Sequence, residues 1–214
     1  MKVPSLQSFD PSQWESIHSA FENAPAWELG QAWKPSAEEK FRLGRVQIGW
    51  QDEALFILAR LDDDCLFTRM TADNQEAYLL GDVFEIFIKD AARENYLELH
   101  IAPNGHRLQL HFPDGKTIFQ MKEQGTKLKD LMVSESLFDS TVRAVPTGWE
   151  IFVRLPVTSF GSKIDDLKSS GLRASFSRYD YDDKGSAPVL SSTSAHEVLN
   201  FHRQEDWRTL TLEA

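Results

Sequence analysis

The chain has 214 residues, 41% of them hydrophobic, with 23 Lys and Arg against 33 Asp and Glu and a net charge of -10. That is enough apolar material for one good core and leaves two independent domains cramped, and no basic block exists to neutralise a phosphate backbone, which argues against a nucleic-acid partner. Cys65 is the only cysteine, so an intramolecular disulfide is excluded, and no stretch approaches the ~20 apolar residues of a membrane span.

The start of the chain reads as a helix over about residues 10–23. Asp10 is placed as N-cap, Pro11 at the first helical position and Gln13 as the capping-box partner. Trp14, Ile17, His18 and Phe21 then fall on one stripe, expected to pack at the edge of a β structure, and Ala24-Pro25 ends the helix. The first residues lack an apolar run of signal-peptide length, so the expectation is either a cytoplasmic protein or one whose leader was removed.

Most of the remaining chain alternates with the period of a strand. Residues 41–50 put Val46, Ile48 and Trp50 on one face and Arg45, Gln47 and Gly49 on the other, and Gln51-Asp52-Glu53 turns them into a hairpin with residues 54–61. In residues 82–88, Phe84, Ile86 and Ile88 oppose Val83, Glu85 and Phe87. After a charged loop over 89–95, Leu97, Leu99 and Ile101 oppose Tyr96, Glu98 and His100, and Pro103-Asn104-Gly105 turns the chain into 107–112. Pro113-Asp114-Gly115 leads to 117–121, in a region read as mostly strand. Residues 137–145 and 149–155 form a second hairpin around Pro146-Thr147-Gly148. A loop with a single helical turn is expected over 159–170, a strand over 172–180, a loop over 181–188 and a closing segment over 197–212. Many short strands with turns about every ten residues predict an all-β sandwich with a short N-terminal helix, one domain over 1–214 with its core over about 27–212.

In the two central strands one face is apolar and the other carries carboxylates among aromatic and imidazole groups. Glu85, Glu98 and His100 are the candidate polar groups of a binding face, with ordinary salt-bridging of Glu85 to Arg178 or Arg107 as the alternative. Arg107, Gln109 and His111 on the next strand either extend that surface or are plain exposed alternation. Arg178-Tyr179-Asp180-Tyr181 ends a strand at a loop and offers rings for stacking with Arg and Asp for hydroxyl pairing, with Asp182 and Asp183 adding charge; a solvated hairpin tip is the alternative.

These residues resemble the family 9 carbohydrate-binding modules and their DOMON-like relatives. Asp82-Val83-Phe84-Glu85-Ile86-Phe87 is similar to the W-x-x-D-S-V-E-I-F signature. Before it come Trp50 and Asp52; after it come Tyr96 and Pro103-Asn104-Gly105. Gly148-Trp149-Glu150-Ile151 through Pro156 is similar to G-W/Y-x-x-E-x-x-I-P, and Asn200-Phe201-His202-Arg203 with Asp206 to Leu210 to N-F-H-x-P-x-x-F-G-x-L. The resemblance runs from about Trp27 to Leu212. It implies a jelly-roll or immunoglobulin-like sandwich, a carbohydrate ligand, no catalysis and frequent secretion or periplasmic location. It also implies two rings that sandwich a sugar. Here those positions hold Tyr78, offset by one against Leu79, and Phe201, in place of two Trp. The residues expected to bind carbohydrate are Tyr78, Glu85, Glu98, His100, Arg178, Tyr179 and Phe201.

No metal or cofactor is assigned, and calcium is kept as an alternative because the resembling relatives can carry it structurally. Asp62-Asp63-Asp64 offers oxygens of the kind calcium takes, but three consecutive Asp residues cannot all face one ion and no EF-hand loop is present. His196 and His202 lack partners at zinc spacing. Haem, held in DOMON-like relatives by Met and His, would need Met70 with His100 or His202, a pairing without support in the spacing. Glu85 and Glu98 invite a glycosidase reading, yet no nucleophile elbow or phosphate-cradling loop accompanies them. The rivals to carbohydrate recognition are a haem domain and a sandwich that binds protein and no sugar.

Overall fold

A computed structural model describes residues 1–182 and 187–213. Two sheets pack face to face. The larger joins β5 (Val83–Asp90), β6 (Tyr96–Ile101), β7 (Arg107–Phe112) and β10 (Leu172–Asp180) with the short strands β1 (Lys2–Val3), β11 (Val189–Ser192) and β12 (Arg208–Leu212), in the order β1-β12-β10-β5-β6-β7 with β11 on the far end of β10. The smaller runs β2-β3-β4-β9-β8, formed by β2 (Ala26–Glu28), β3 (Gly44–Gln51), β4 (Ala54–Asp62), β8 (Asp139–Val145) and β9 (Gly148–Pro156). This is the expected β-sandwich.

Strand parity builds the core. Val46, Ile48 and Trp50 join Leu55, Ile57, Ala59, Leu61 and the odd-numbered residues of β9 on one side. Phe84, Ile86 and Ile88, Leu97, Leu99 and Ile101, and Leu172, Ala174 and Phe176 meet them from the other. Each fully buried Leu, Ile or Phe contributes roughly 1.5–3 kcal/mol of transfer free energy. The β8–β9 hairpin depends on Gly148, whose φ of 146° places its missing Cβ 2.0 Å from Leu61 O; no side chain fits there.

The helix is shorter than its sequence signals. Asp10 Oδ1 accepts the Ser12 amide and hydroxyl (2.9 and 2.7 Å), which locks residues 10–12 in a turn. The α-helix α1 therefore spans Trp14–Ala20 with Gln13 as its N-cap. It packs over a face of the sandwich, not its edge: Ile17 and Phe21 cluster with Leu6, Phe56, Leu58 and Phe152 on the outer side of the two strands β4 and β9 inside the small sheet. Those strands read as nearly unbroken apolar runs because both their faces are covered.

Residues 117–121 are helical instead of extended. Asp114 Oδ1 accepts the amides of Lys116 and Thr117 (2.8 and 2.9 Å), opening α2 (Thr117–Gln124), and left-handed Gly125 closes it. Ile118 and Met121, three apart, turn the same way and pack on the outer face of the large sheet. The loop over 159–170 contains α3 (Ile164–Ser170), with a 3-10 turn at Val157–Phe160 just before. Asp183 and residues 184–186 lie outside the described residues. Among the described residues no helix is long and apolar enough to cross a membrane.

Candidate functional site

The outer face of the large sheet carries a hollow of about 470 Å³. Its floor comes from alternation: Glu85 and Phe87 on β5 pair in register with His100 and Glu98 on β6, and Tyr179 on β10 stands opposite Val83. Its walls come from loops. The 3-10 turn Ala77–Leu79 delivers Tyr78, the closing segment delivers Leu199, Asn200, Phe201 and His202, and Ile118 and Leu128 reach over from the α2 region. Trp207 Nε1 donates to Phe201 O (2.7 Å), while Asp206 pairs with buried His196 (3.1 Å) and with Arg203 (2.8 Å), so the closing segment is held against the sheet.

The rings form a connected wall. Tyr179 lies 6.1 Å from Tyr78 and 6.0 Å from Phe201 between centroids, and Phe87 adds contacts to Phe201 (6.3 Å) and His202 (5.2 Å). Tyr78 is half-buried and its hydroxyl donates to Glu76 (2.9 Å), whereas Phe201 is 6% exposed.

Beneath these rings sits a polar cluster. His100 is fully buried behind the hollow, with Nε2 2.7 Å from Glu98 Oε1 and 3.4 Å from Glu85 Oε1. Among the described residues, the second oxygens of both glutamates and His100 Nδ1 have no hydrogen-bond partner. His202 approaches from the wall, Nε2 at 3.8 Å from Glu98 Oε2 and Nδ1 at 2.9 Å from the Tyr96 hydroxyl. Burial pushes the Glu85 carboxyl up to about 8, only partly opposed by His100. Burial also works against charge on Glu98 and on His100. There His202 and His100 outweigh it and hold Glu98 down, while Glu85 and Glu98 hold His100 up. Burial lowers His202.

Five of the seven expected residues, Tyr78, Glu85, Glu98, Tyr179 and Phe201, thus line one hollow, and His100 supports its floor. Arg178 does not reach it. It is one residue out of phase with Tyr179, pairs with Phe84 on the core side, and is fully buried against Asp62 O (2.6 Å), Asp63 (2.8 Å) and Asp180 (3.1 Å). It clamps the end of β4 to β10, and Glu85 has neither Arg178 nor Arg107 as a salt-bridge partner among the described residues.

Register also corrects the neighbouring strand. His100 pairs with Leu108 and Glu98 with Leu110, so the apolar side of β7 shares the site's face. Arg107, Gln109 and His111 turn the other way. Arg107 bonds Phe138 O (2.6 Å) and Gln109 accepts the Leu137 amide (2.7 Å), tying down a strap along the sheet edge. The three consecutive aspartates diverge: Asp63 faces Arg178, Asp64 faces Arg42 and Asp62 is exposed. Met70 lies in a small cluster with Ala77, Val83 and Ala102.

Among the lining residues that sequence reasoning misses are Phe87 and His202. Phe87 has the parity of Glu85, and His202 follows Phe201 in the closing motif, so both signals are present in the chain. Ile118 and Leu128 carry none, because the segments that bring them have no strand period.

The sequence model of a family described as "Carbohydrate family 9 binding domain-like" matches residues 13–214. No curated protein matches the chain significantly. Among solved structures, a putative carbohydrate-binding protein from Bacteroides uniformis superposes with a TM-score of 0.72 at 13% identity, covering 100% of this chain and 98% of its own. A family 9 module from Caldicellulosiruptor kristjanssonii in complex with cellotriose gives 0.65 at 14% identity, with 100% and 93% covered. The structure of a family 9 module from that organism with glucose gives 0.64 at 12%, with 100% and 95% covered. At these identities the likeness establishes the fold.

Proposed function

This chain belongs to the carbohydrate family 9 binding domain-like family, and from that premise we propose that the hollow on its large sheet binds a saccharide without cleaving it. The observation that carries the reading is the meeting of Tyr78, Tyr179 and Phe201 with Glu85 and Glu98 in one cavity. Ring faces complement the C–H side of a pyranose, and the carboxyl groups of Glu85 and Glu98 pair with its hydroxyls, the combination of apolar walls and few polar groups that small-ligand sites share. The volume suits a chain end or a small saccharide. Structural neighbours solved with cellotriose and glucose support the ligand class.

A binding role also accounts for the carboxylates better than hydrolysis does. Glu85 and Glu98 stand side by side on the floor with His100 between them, whereas a glycosidase pair flanks the bond it cleaves. Affinity is expected to be modest, since each hydroxyl contact replaces one with water.

The test is calorimetric titration with glucose and cello-oligosaccharides, then with a wider glycan panel. Tyr78→Ala should weaken binding by at least about tenfold, or ~1.4 kcal/mol, while the fold melts nearly as before. Tyr78 suits this better than buried Phe201, whose truncation would cost stability. Unchanged affinity in Tyr78→Ala, or release of sugar from any glycan, would refute the reading.

A further inference from the structure

We propose that Glu85, Glu98 and His100 form a binding site for a divalent transition metal of the zinc type at the floor of the hollow. The three side chains offer two oxygens and one nitrogen within 4.8 Å of one another. Both glutamates are more than nine-tenths buried and line the hollow, and each keeps one oxygen without a hydrogen-bond partner among the described residues. Two buried carboxyl groups short of donors cost free energy, and a dication bound between them offsets that cost for both.

Geometry selects the metal class. Zinc holds His nitrogen and Glu oxygen at 2.0–2.2 Å, so ligands of a tetrahedral set stand roughly 3.3–3.6 Å apart. His100 Nε2 already lies 3.4 Å from Glu85 Oε1. Its 2.7 Å approach to Glu98 Oε1 is the length of a shared proton, which the metal would replace as Glu98 withdraws slightly. Three donors, one of them nitrogen, fall short of the six to eight oxygens that calcium takes. His202, with Nε2 3.8 Å from Glu98 Oε2, is the fourth side chain within approach. His100 Nδ1 meets no acceptor, so the outer hydrogen bond that strengthens metal-bound histidines is missing and the ion should exchange readily. The other acidic group, Asp63 with Asp82 and Asp180, is a weaker candidate because Arg178 and two backbone amides already occupy its oxygens.

Metal binding stands apart from saccharide binding. Only if the hollow also takes a sugar would the ion's open side meet its hydroxyls, so the two are measured separately. The full chain, stripped with a chelator and dialysed, is titrated with Zn2+ alone, and with Co2+ to read its visible absorption. One site is expected, with a Co2+ band of four-coordinate nitrogen and oxygen ligation and no competition from Ca2+. Glu85→Gln and Glu98→Gln should each weaken Zn2+ binding at least about tenfold while thermal melts show the fold retained. His106→Ala, which removes the exposed His106–Asp73 pair, should leave it unchanged. Absence of a Zn2+ site, or binding that survives both Gln substitutions, overturns the proposal. So does a glucosamine-type ammonium sugar that binds with no metal site detectable.

Discussion

The two sheets of this sandwich treat their outer faces differently. On the small sheet the outward positions include Phe56, Leu58 and Phe152, which α1 covers with Ile17 and Phe21, beside a polar strip of Arg45, Gln47, Arg60 and Glu150. On the large sheet the corresponding positions include Glu85, Glu98 and His100, and the cover is pieced together from loops, a 3-10 turn, the short helix α2 and the closing segment, which leave a hollow. A helix with an apolar stripe can close on a flat apolar face and exclude water. Loops anchored by backbone hydrogen bonds arch over polar side chains and leave space. The same architecture therefore carries an apolar patch closed by a helix on one side and a hollow floored by polar side chains on the other.

Truncating the helix-covered patch should have the largest effect. Phe21→Ala removes a ring with 0% exposure and should cost about 3–5 kcal/mol in urea unfolding, with little change in saccharide affinity. A loss below about 1 kcal/mol would mean that α1 does not seal the sheet.

The face with the hollow should show itself through pH. The folded-state carboxyl of Glu85 lies above its unfolded value, as does His100, so their stabilisation is present at low pH and lost as pH rises through the folded values. Asp82, raised to about 7 chiefly by burial, acts in the same sense. Glu98 works oppositely, its contribution fading only when pH falls through its lowered value. The share of the unfolding free energy carried by Glu85, His100 and Asp82 should therefore decline between about pH 5 and pH 8, against His196 and His202, whose burial-lowered values favour the fold as pH rises, and Glu85→Gln should remove part of that decline. A profile unaltered by the substitution would break the proposed distinction between the faces.

The smallest effect belongs to the rim of the helix-covered patch. The Arg143 guanidinium sits 4.3 Å over the Trp14 ring and pairs with Glu150 at 2.6 Å. Arg143→Ala should cost about 1 kcal/mol or less, because half-exposed contacts of this kind compete with water and Arg60 still pairs with Glu150.

Much of this architecture is legible in the chain. Alternation in 83–90 and 96–101 identifies both the core positions and the carboxylates opposite them, since side chains with a period of two cannot change faces without a bulge. The same rule, applied to 178 and 179, separates Arg178 from Tyr179, so adjacency in sequence is the wrong ground for grouping them. Grouping Arg107 with His100 fails for another reason. Which residue of β7 faces His100 depends on the pairing register across the turn, which alternation within either strand leaves open. The Asp10 and Pro11 signals are local and real, but the Asp10 carboxylate is taken up by Ser12, so the helix begins later.

Strand periods, the apolar stripe of α1 and the family signatures are written in nearest-neighbour chemistry, and the amino-acid order alone sets them. Packing in three dimensions sets the rest: that 117–124 coils, that 189–192 becomes a strand, and that loops distant in sequence bring Tyr78, Ile118 and His202 around Glu85 and Glu98. Such contacts depend on which surfaces remain to be covered once the two sheets have met, and no local pattern encodes that.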